Sequence, residues 1–197
     1  MKIPTIGECF RLIYEMEMLD HIIDHSIMVS NVALCLSLVL KKNFPEINIK
    51  LVTSAALLHD ITKTRSFTTG ESHSETGGLL LENLGYPEIG DIIRQHVILD
   101  ICTSDTPVSE QEIVNYADKR VLHDQVVSLR KRLDYIKIRY GTNPEFKRRI
   151  PLMWKNTLAL EAKLFKQVAF TPSQLSHKIL PTIKKIKQKK IKQKKIR

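Results

Sequence analysis

Apolar residues recur at helical spacing along most of this chain, and this pattern restricts the fold more than any other feature. Residues 27–40, IMVSNVALCLSLVL, form the longest apolar run, and no stretch combines strand-like alternation with a hairpin turn. Polar residues at 62–72 and 103–107 predict loops. The pattern therefore predicts an all-α protein, with helices over 7–18, 22–42, 48–61, 73–84, 88–98, 109–138 (broken near 123), 144–168 and 172–190.

Helix boundaries are marked by glycine and proline. Gly85 follows Leu84 and precedes Pro87 by two positions, an arrangement typical of a helix stop. The pairs Asn143-Pro144 and Thr171-Pro172 are typical of helix starts, because a capping residue precedes a proline in the first turn.

The charge is concentrated at the carboxyl end. The 197 residues carry a net charge of +10, and residues 184–197 contain nine Lys or Arg and no acid, so the rest of the chain is near neutral. This basic tail is either a phosphate-binding arm for nucleic acid or a solvated extension. We expect four regions, namely an N-terminal helix (1–20), a main domain (21–138), a C-terminal helical region (139–183) and the tail.

The sequence predicts a cytoplasmic protein without a membrane span. The first ten residues have no sustained apolar stretch, and the run at 27–40 is shorter than the ~20 residues that a spanning helix needs. The cysteines at positions 9, 35 and 102 are odd in number and far apart, as expected for reduced thiols.

Several ionisable residues occupy apolar helix faces. His25, for example, precedes Val29 and Val32, and His96 follows Ile92 and Ile93. One inward histidine is more often a core residue that donates to a carbonyl than a ligand. Here five segments each supply such a group, and Asp60 adjoins one of them; the five are His25, His59, His73, His96 and Asp118.

These groups predict a metal site. A buried carboxylate must be paired or bound to a metal, and no Lys or Arg lies on the same stripes to pair Asp118. The simplest solution is that the side chains converge on a cation. Imidazole and carboxylate without thiolate suit Mn, Fe, Co, Ni or Zn.

The ordered set resembles the HD superfamily of metal-dependent phosphohydrolases, whose signature H…HD…D is matched by His25, His59-Asp60 and Asp118. The resemblance covers roughly residues 20–135 and implies that 21–138 is an HD helical bundle, followed by the C-terminal helical extension and basic tail. His73 and His96 occupy the places of extra histidines in members that resemble binuclear enzymes. One or two divalent ions are therefore expected, with Asp60 bridging two.

Thr62 departs from the family pattern, because many relatives read HDIG and have glycine at this position. Since threonine disfavours the left-handed conformation, the turn after Ile61 is expected to differ. The GYP at 85–87 matches a motif of the cyclic-dinucleotide phosphodiesterase branch, but it lies at a helix stop without the neighbouring HHE, so it is interpreted as a turn.

The resemblance implies hydrolysis of a phosphate ester of a nucleotide or related small molecule, as a phosphomonoesterase or phosphodiesterase, by metal-activated water. Asp60 and Lys63 are the expected catalytic residues. The expected substrate-binding residues are Lys63, Arg65, Lys119 and His123. For Lys63 the alternative is a solvent-exposed loop lysine. Residues 130–149 carry eight basic residues against two acids and either line a site for anions or form a solvated helix face.

Two other functions remain open. One is a non-catalytic module that a metal stabilises and that binds nucleic acid through the tail. The other is a di-iron oxygenase, because some HD proteins have that activity. Deletion of the tail distinguishes the nucleic-acid module from a phosphohydrolase. The identity of the metal distinguishes the di-iron oxygenase from a phosphohydrolase.

Overall fold

The computed structural model describes residues 1–100, 106–142 and 144–185, and they form a helical bundle with one very short hairpin. The prediction of an all-α fold is confirmed. The elements are α1 Ile6–Glu15, α2 Asp20–Leu40, α3 Ile49–Leu58, α4 Lys63–Thr69, α5 His73–Asn83, α6 Pro87–Arg94, α7 Glu110–Lys119, β1 Val121–Leu122, β2 Gln125–Val126, α8 Leu129–Tyr140, α9 Pro144–Phe165 and α10 Leu175–Lys178, the last preceded by a 3-10 turn at Pro172–Gln174.

α2 lies at the centre of the bundle and packs against α3 and α7. It is long and apolar enough to cross a membrane by length and composition alone, but 61% of its most apolar stretch is buried inside the protein. Buried residues from Cys9 in α1 to Ile183 near the C-terminus join one hydrophobic core around it. α2 is therefore a helix of the protein core.

α5 and α6 form a tight helical pair. Gly85 has a φ of +82°, which fits the predicted helix stop, and Pro87 begins α6. A Cβ on Gly78 would lie 2.9 Å from the Gly90 carbonyl oxygen, and one on Gly90 would lie 2.6 Å from that of Gly78. Only glycine permits this approach, which brings the middle of α5 close to the middle of α6.

The segment predicted as a broken helix over 109–138 is instead α7, a hairpin and α8. The two strands pair antiparallel with Val121 opposite Val126 and Leu122 opposite Gln125. His123 begins the turn with a φ of +55°. Strands of two residues are too short to produce a readable alternation, which is why the sequence did not indicate them.

The prediction of a loop at 62–72 is wrong over most of its length, because α4 occupies residues 63–69. Apart from the exposed Phe67 its residues are polar, and none is buried, so no apolar stripe marks it. Gly70 ends the helix in the left-handed conformation, with a φ of +71°. Most of the loop predicted at 103–107 and the helix-starting Asn143 lie outside the described residues.

The predicted helix over 172–190 is wrong beyond Lys178, because residues 179–185 are not helical. The Asn31 amide donates to the Ile183 carbonyl (3.0 Å) and accepts from its N–H (2.8 Å). Lys185 then pairs with Asp20 (2.7 Å) and Asp24 (3.5 Å). The end of the described chain is thus held along α2; the basic tail beyond it, 186–197, lies outside the described residues.

Candidate metal centre

His59 and Asp60 lie where α3 ends. α3 begins with an Asn48 cap and its residues from Leu51 to Leu58 are all buried, so the helix carries its final turn into the core. His59 and Asp60 are both fully buried. The local sequence therefore delivers an imidazole and a carboxylate to the interior, at the point where helical hydrogen bonding stops.

Four more side chains from four other segments meet this pair. His25 comes from α2, His73 begins α5, His96 follows α6, and Asp118 comes from α7. Nitrogen-to-oxygen separations are 3.1 Å from His25 to Asp118, 3.4 Å from His59 to Asp60, 3.8 Å from His59 to Asp118, 3.2 Å from His73 to Asp60 and 3.6 Å from His96 to Asp60. The structure brings all six predicted ligands together.

Three of the histidines present a defined face to the carboxylates. In each, Nδ1 lies against a backbone carbonyl: His25 against His123 (2.8 Å), His59 against Ala56 (2.8 Å) and His96 against Ile93 (2.6 Å). A carbonyl only accepts, so Nδ1 carries the proton in the neutral ring. The unprotonated Nε2 atoms then face carboxylate oxygens, which are also acceptors, so the two groups repel each other. A cation bound between them would turn this repulsion into coordination.

The pKa values of two of these histidines favour the neutral ring. Burial lowers the pKa of His96 to about 4, and burial lowers the pKa of His25 although Asp118 opposes it. At His59 burial also acts downward, but the adjacent Asp60 and Asp118 outweigh it and raise the pKa. His25 and His96 are therefore ready to coordinate a metal at neutral pH.

Two lysines and an arginine surround the carboxylates. Lys63 Nζ lies 2.7 Å from Asp60, and Lys119 Nζ lies 2.8 Å from Asp118 and 2.9 Å from the His96 carbonyl oxygen. An Arg132 nitrogen lies 3.6 Å from Asp118. The sequence placed no Lys or Arg on the stripe of Asp118, and the paired lysine comes from outside that stripe. Lys119, which was predicted to bind substrate, pairs with Asp118 because its long side chain folds back from the next position.

These cations determine the charge state of the carboxylates. Burial alone would raise the pKa of Asp60, but Lys63 and His59 hold it well below its usual range. Burial opposes ionisation of Asp118 as well, and Lys119 and His25 hold its pKa low. Both carboxylates are therefore ionised at neutral pH.

The donor set fits a divalent transition metal. Among the described residues, His59 Nε2 and Asp60 Oδ1 are buried without a hydrogen-bond partner. Ligands about 2.1 Å from a tetrahedral ion lie roughly 3.4 Å apart, close to the separations seen here. Two trios have ligand atoms within 4.8 Å of one another, namely His25, His59 and Asp118, and His59, Asp60 and His96.

The remaining predicted substrate residues lie in different places. The Arg65 guanidinium pairs with Glu71 at 2.6 Å on the exposed surface. The exposed ring of His123 packs edge-on against Tyr135 at 5.6 Å, while its carbonyl holds His25. The structure therefore does not bring these two side chains against the carboxylates, whereas Lys63 and Lys119 contact them.

Two contributions were missed by sequence reasoning. Thr62 donates to the His73 carbonyl oxygen (2.8 Å) and contacts the Thr76 hydroxyl (3.0 Å), so it ties the turn after Asp60 to the start of α5. Its φ of −104° is ordinary, so no glycine is required here. Arg132 was present only as one member of the basic segment 130–149, and no local pattern distinguished it from its neighbours.

Comparison with known proteins agrees with this geometry. The HD domain family model matches residues 22–133, more than half of the chain, and the chain therefore belongs to the HD-domain family, whose members are generally metal-dependent phosphohydrolases. The uncharacterized protein MJ0778 of Methanocaldococcus jannaschii is 29% identical over 147 residues, which cover 68% of this chain and 86% of that protein. No solved structure gives a significant match.

Proposed function

We propose that this protein is a metal-dependent phosphohydrolase that cleaves a phosphate ester of a nucleotide or a related small molecule. One observation carries the proposal. Buried imidazole and carboxylate groups from four segments converge, and two of their atoms have no hydrogen-bond partner among the described residues. Lysines flank both carboxylates. Such a site combines metal ligands with positive charge for a phosphate.

The two carboxylates divide the ligands into two sets. His25, His59 and Asp118 would hold one ion. Asp60 turns Oδ2 toward His59 and Oδ1 toward His73 and His96, so it would share a second ion with those two histidines. A bound divalent metal supplies Lewis acidity that generates hydroxide near neutral pH and offsets phosphoryl charge.

The lysines have different parts in this proposal. Lys63 is one-quarter exposed, so its ammonium group is placed to contact a phosphoryl oxygen as well as Asp60. Lys119 is buried and bonds to both Asp118 and the His96 carbonyl oxygen, so its placement favours holding two ligand-bearing segments together. A role of Lys119, Arg65 or His123 in substrate binding stays a prediction.

Metal analysis of protein purified without chelator, followed by a phosphate-release screen across mononucleotides and phosphodiesters, tests the proposal. Asp60→Ala is expected to lose the bound metal and to lower kcat/KM on the order of 10³-fold, because charge stabilisation in the transition state disappears. Asp134→Ala is the matched control, because Asp134 is an exposed carboxylate paired with Arg130. Phosphate release by Asp60→Ala at the wild-type rate would contradict the proposal.

The same donor set admits iron, which keeps a di-iron oxygenase as the second candidate. Oxygen consumption by the iron-loaded protein, without phosphate release, would favour it. The nucleic-acid module depends on the basic tail, 184–197. Deletion of the tail would abolish nucleic-acid binding in that case and would leave hydrolysis intact under the first proposal.

A further inference from the structure

Arg132 is a largely buried cation near Asp118 to which the proposed function assigns no role. It lies in the first turn of α8, directly after the hairpin, and its side chain is 13% exposed. The guanidinium packs 5.8 Å from the centre of the Tyr135 ring, which restricts its orientation. Its Nε is buried and, within the described part of the chain, has no hydrogen-bond partner.

A purely structural role for Arg132 would be to neutralise Asp118. The separation of 3.6 Å is longer than the ~2.7–2.9 Å of a charge-assisted hydrogen bond. The Lys119 ammonium group already lies 2.8 Å from Asp118. Asp118 therefore has a closer cation, and neutralising it does not require Arg132.

Arg120 is an arginine with a structural role in the same protein, and its hydrogen bonds can be compared with those of Arg132. Its Nε donates to the Val127 carbonyl oxygen (2.8 Å), Nη1 to the Tyr116 hydroxyl (2.6 Å) and Nη2 to the Pro172 carbonyl oxygen (2.8 Å). Each nitrogen of that guanidinium has a partner. Arg132 is less buried than Arg120 and keeps donor capacity that a ligand can use.

The charge balance indicates which ligand that is. Lys63, Lys119 and Arg132 bring three positive charges to two carboxylates, and any divalent ion held by those carboxylates adds two more. A site with such an excess favours a dianion over a monoanion. A phosphate monoester is dianionic at neutral pH, and its oxygens match the planar fork of a guanidinium.

We propose that Arg132 binds the phosphoryl group of a phosphate monoester, on the side of the metal centre formed by His25, His59 and Asp118. The inference rests on the proposed function and extends it in two ways. It adds a substrate-binding residue beyond the ligands and lysines, and it assigns the substrate to terminal monoesters in preference to diesters.

Orthophosphate is the probe, because it presents the same phosphoryl oxygens and its binding needs no turnover. Calorimetric titration of the Mn-loaded protein with orthophosphate is expected to give a Kd about 10- to 100-fold weaker for Arg132→Met than for the wild type, as for loss of a hydrogen bond to a charged group. Arg130→Met is the matched control, since Arg130 is 84% exposed and pairs only with Asp134 among the described residues. Its Kd is expected to be unchanged.

Activity and metal content complete the test. For Arg132→Met we expect a larger loss of kcat/KM on a nucleoside monophosphate than on a phosphodiester, with wild-type metal content. Reduced metal content with unchanged phosphate affinity would show that Arg132 only supports Asp118 and would overturn the inference. An equal loss on both ester classes would overturn the assignment to monoesters.

Arg132→Lys decides the matter if Arg132→Met does not fold. It keeps the charge but loses the planar fork, so the orthophosphate Kd is expected to weaken severalfold. An unchanged Kd would overturn the inference. If the wild type binds orthophosphate through Arg132 but cleaves no ester, the proposed function fails while the anion site stands. If the wild type hydrolyses esters and Arg132→Met binds orthophosphate normally, the proposed function stands and the anion site at Arg132 fails.

Discussion

Two buried polar clusters in this protein differ in how completely their atoms are paired. Around Arg120, the guanidinium donates to the Tyr116 hydroxyl, the Glu161 carboxylate and two backbone carbonyls, and the Tyr116 hydroxyl donates to Glu161. Around Asp60, imidazole and carboxylate atoms face one another with buried atoms that have no hydrogen-bond partner in the described chain. Saturated pairing is typical of a cluster that stabilises a fold, and incomplete pairing is typical of one that receives a ligand.

The largest effect on stability is expected from Arg120→Met. Removal of this cation leaves Glu161 and Tyr116 without their buried partner, which should lower the free energy of unfolding by about 3 to 5 kcal/mol. Urea denaturation measures the loss. Metal content and kcat per folded molecule should match the wild type; a loss of metal would mean that the two clusters are not separable.

The metal-free protein should lose stability in acid through His96. The folded-state pKa of about 4 lies below the ordinary value of 6.5, so the unfolded chain binds the proton more readily between these values. The contribution is complete above pH 6.5 and is lost as the pH falls toward 4, and it amounts to about 3 kcal/mol.

Denaturation of wild type and His96→Gln across this pH range isolates that contribution. The difference between the two proteins should shrink as the pH falls from 6.5 to 4. A difference that stays constant would argue that His96 is not neutral in the folded protein.

Metal should stabilise the protein only through the incompletely paired cluster. A divalent ion at 100 times its Kd adds about 2.7 kcal/mol to the free energy of unfolding, because it binds the folded state alone. Thermal denaturation with and without Mn or Zn measures the shift. Arg120→Met should show the same increment as the wild type, whereas Asp60→Ala should show little or none.

The smallest effect is expected from Thr62→Val, which removes one hydroxyl and keeps the shape. The loss of its bond to the His73 carbonyl oxygen should cost about 1 kcal/mol. Metal affinity should weaken severalfold, since His73 loses an anchor. Ser66→Ala is the matched control, because among the described residues its hydroxyl bonds only to the nearby Lys63 carbonyl oxygen. An equal loss of metal affinity in Ser66→Ala would contradict a specific role of Thr62.

Periodicity predicted the helices that build the core, because each of them buries an apolar face. It failed at α4, which buries none of its residues, and beyond Lys178, where the Asn31 amide holds the chain out of a helix. Long-range pairing of this kind leaves no local signal. Helix propensity therefore predicted a helix beyond Lys178, whereas the contact between Asn31 and Ile183 keeps residues 179–185 out of a helix.

The sequence predicted which side chains converge, since inward-facing ionisable groups in a core have few other places to go. It did not predict what holds them. The carbonyl of His123 orients His25 only because the backbone turns through a positive φ there, and Arg132 reaches Asp118 from a separate helix. Backbone direction at a turn and the angle between two helices are properties of the assembled fold.

The clamp between Asn31 and Ile183 also fixes where the chain continues. Lys185 is pinned to Asp20 and Asp24, in the first two turns of the helix that carries His25. A polyanion bound at Lys185 would therefore lie beside the end of α2 that carries His25. Tethering raises the local concentration of a captured polyanion without any new contact, so even weak attraction by the tail would be amplified at the centre.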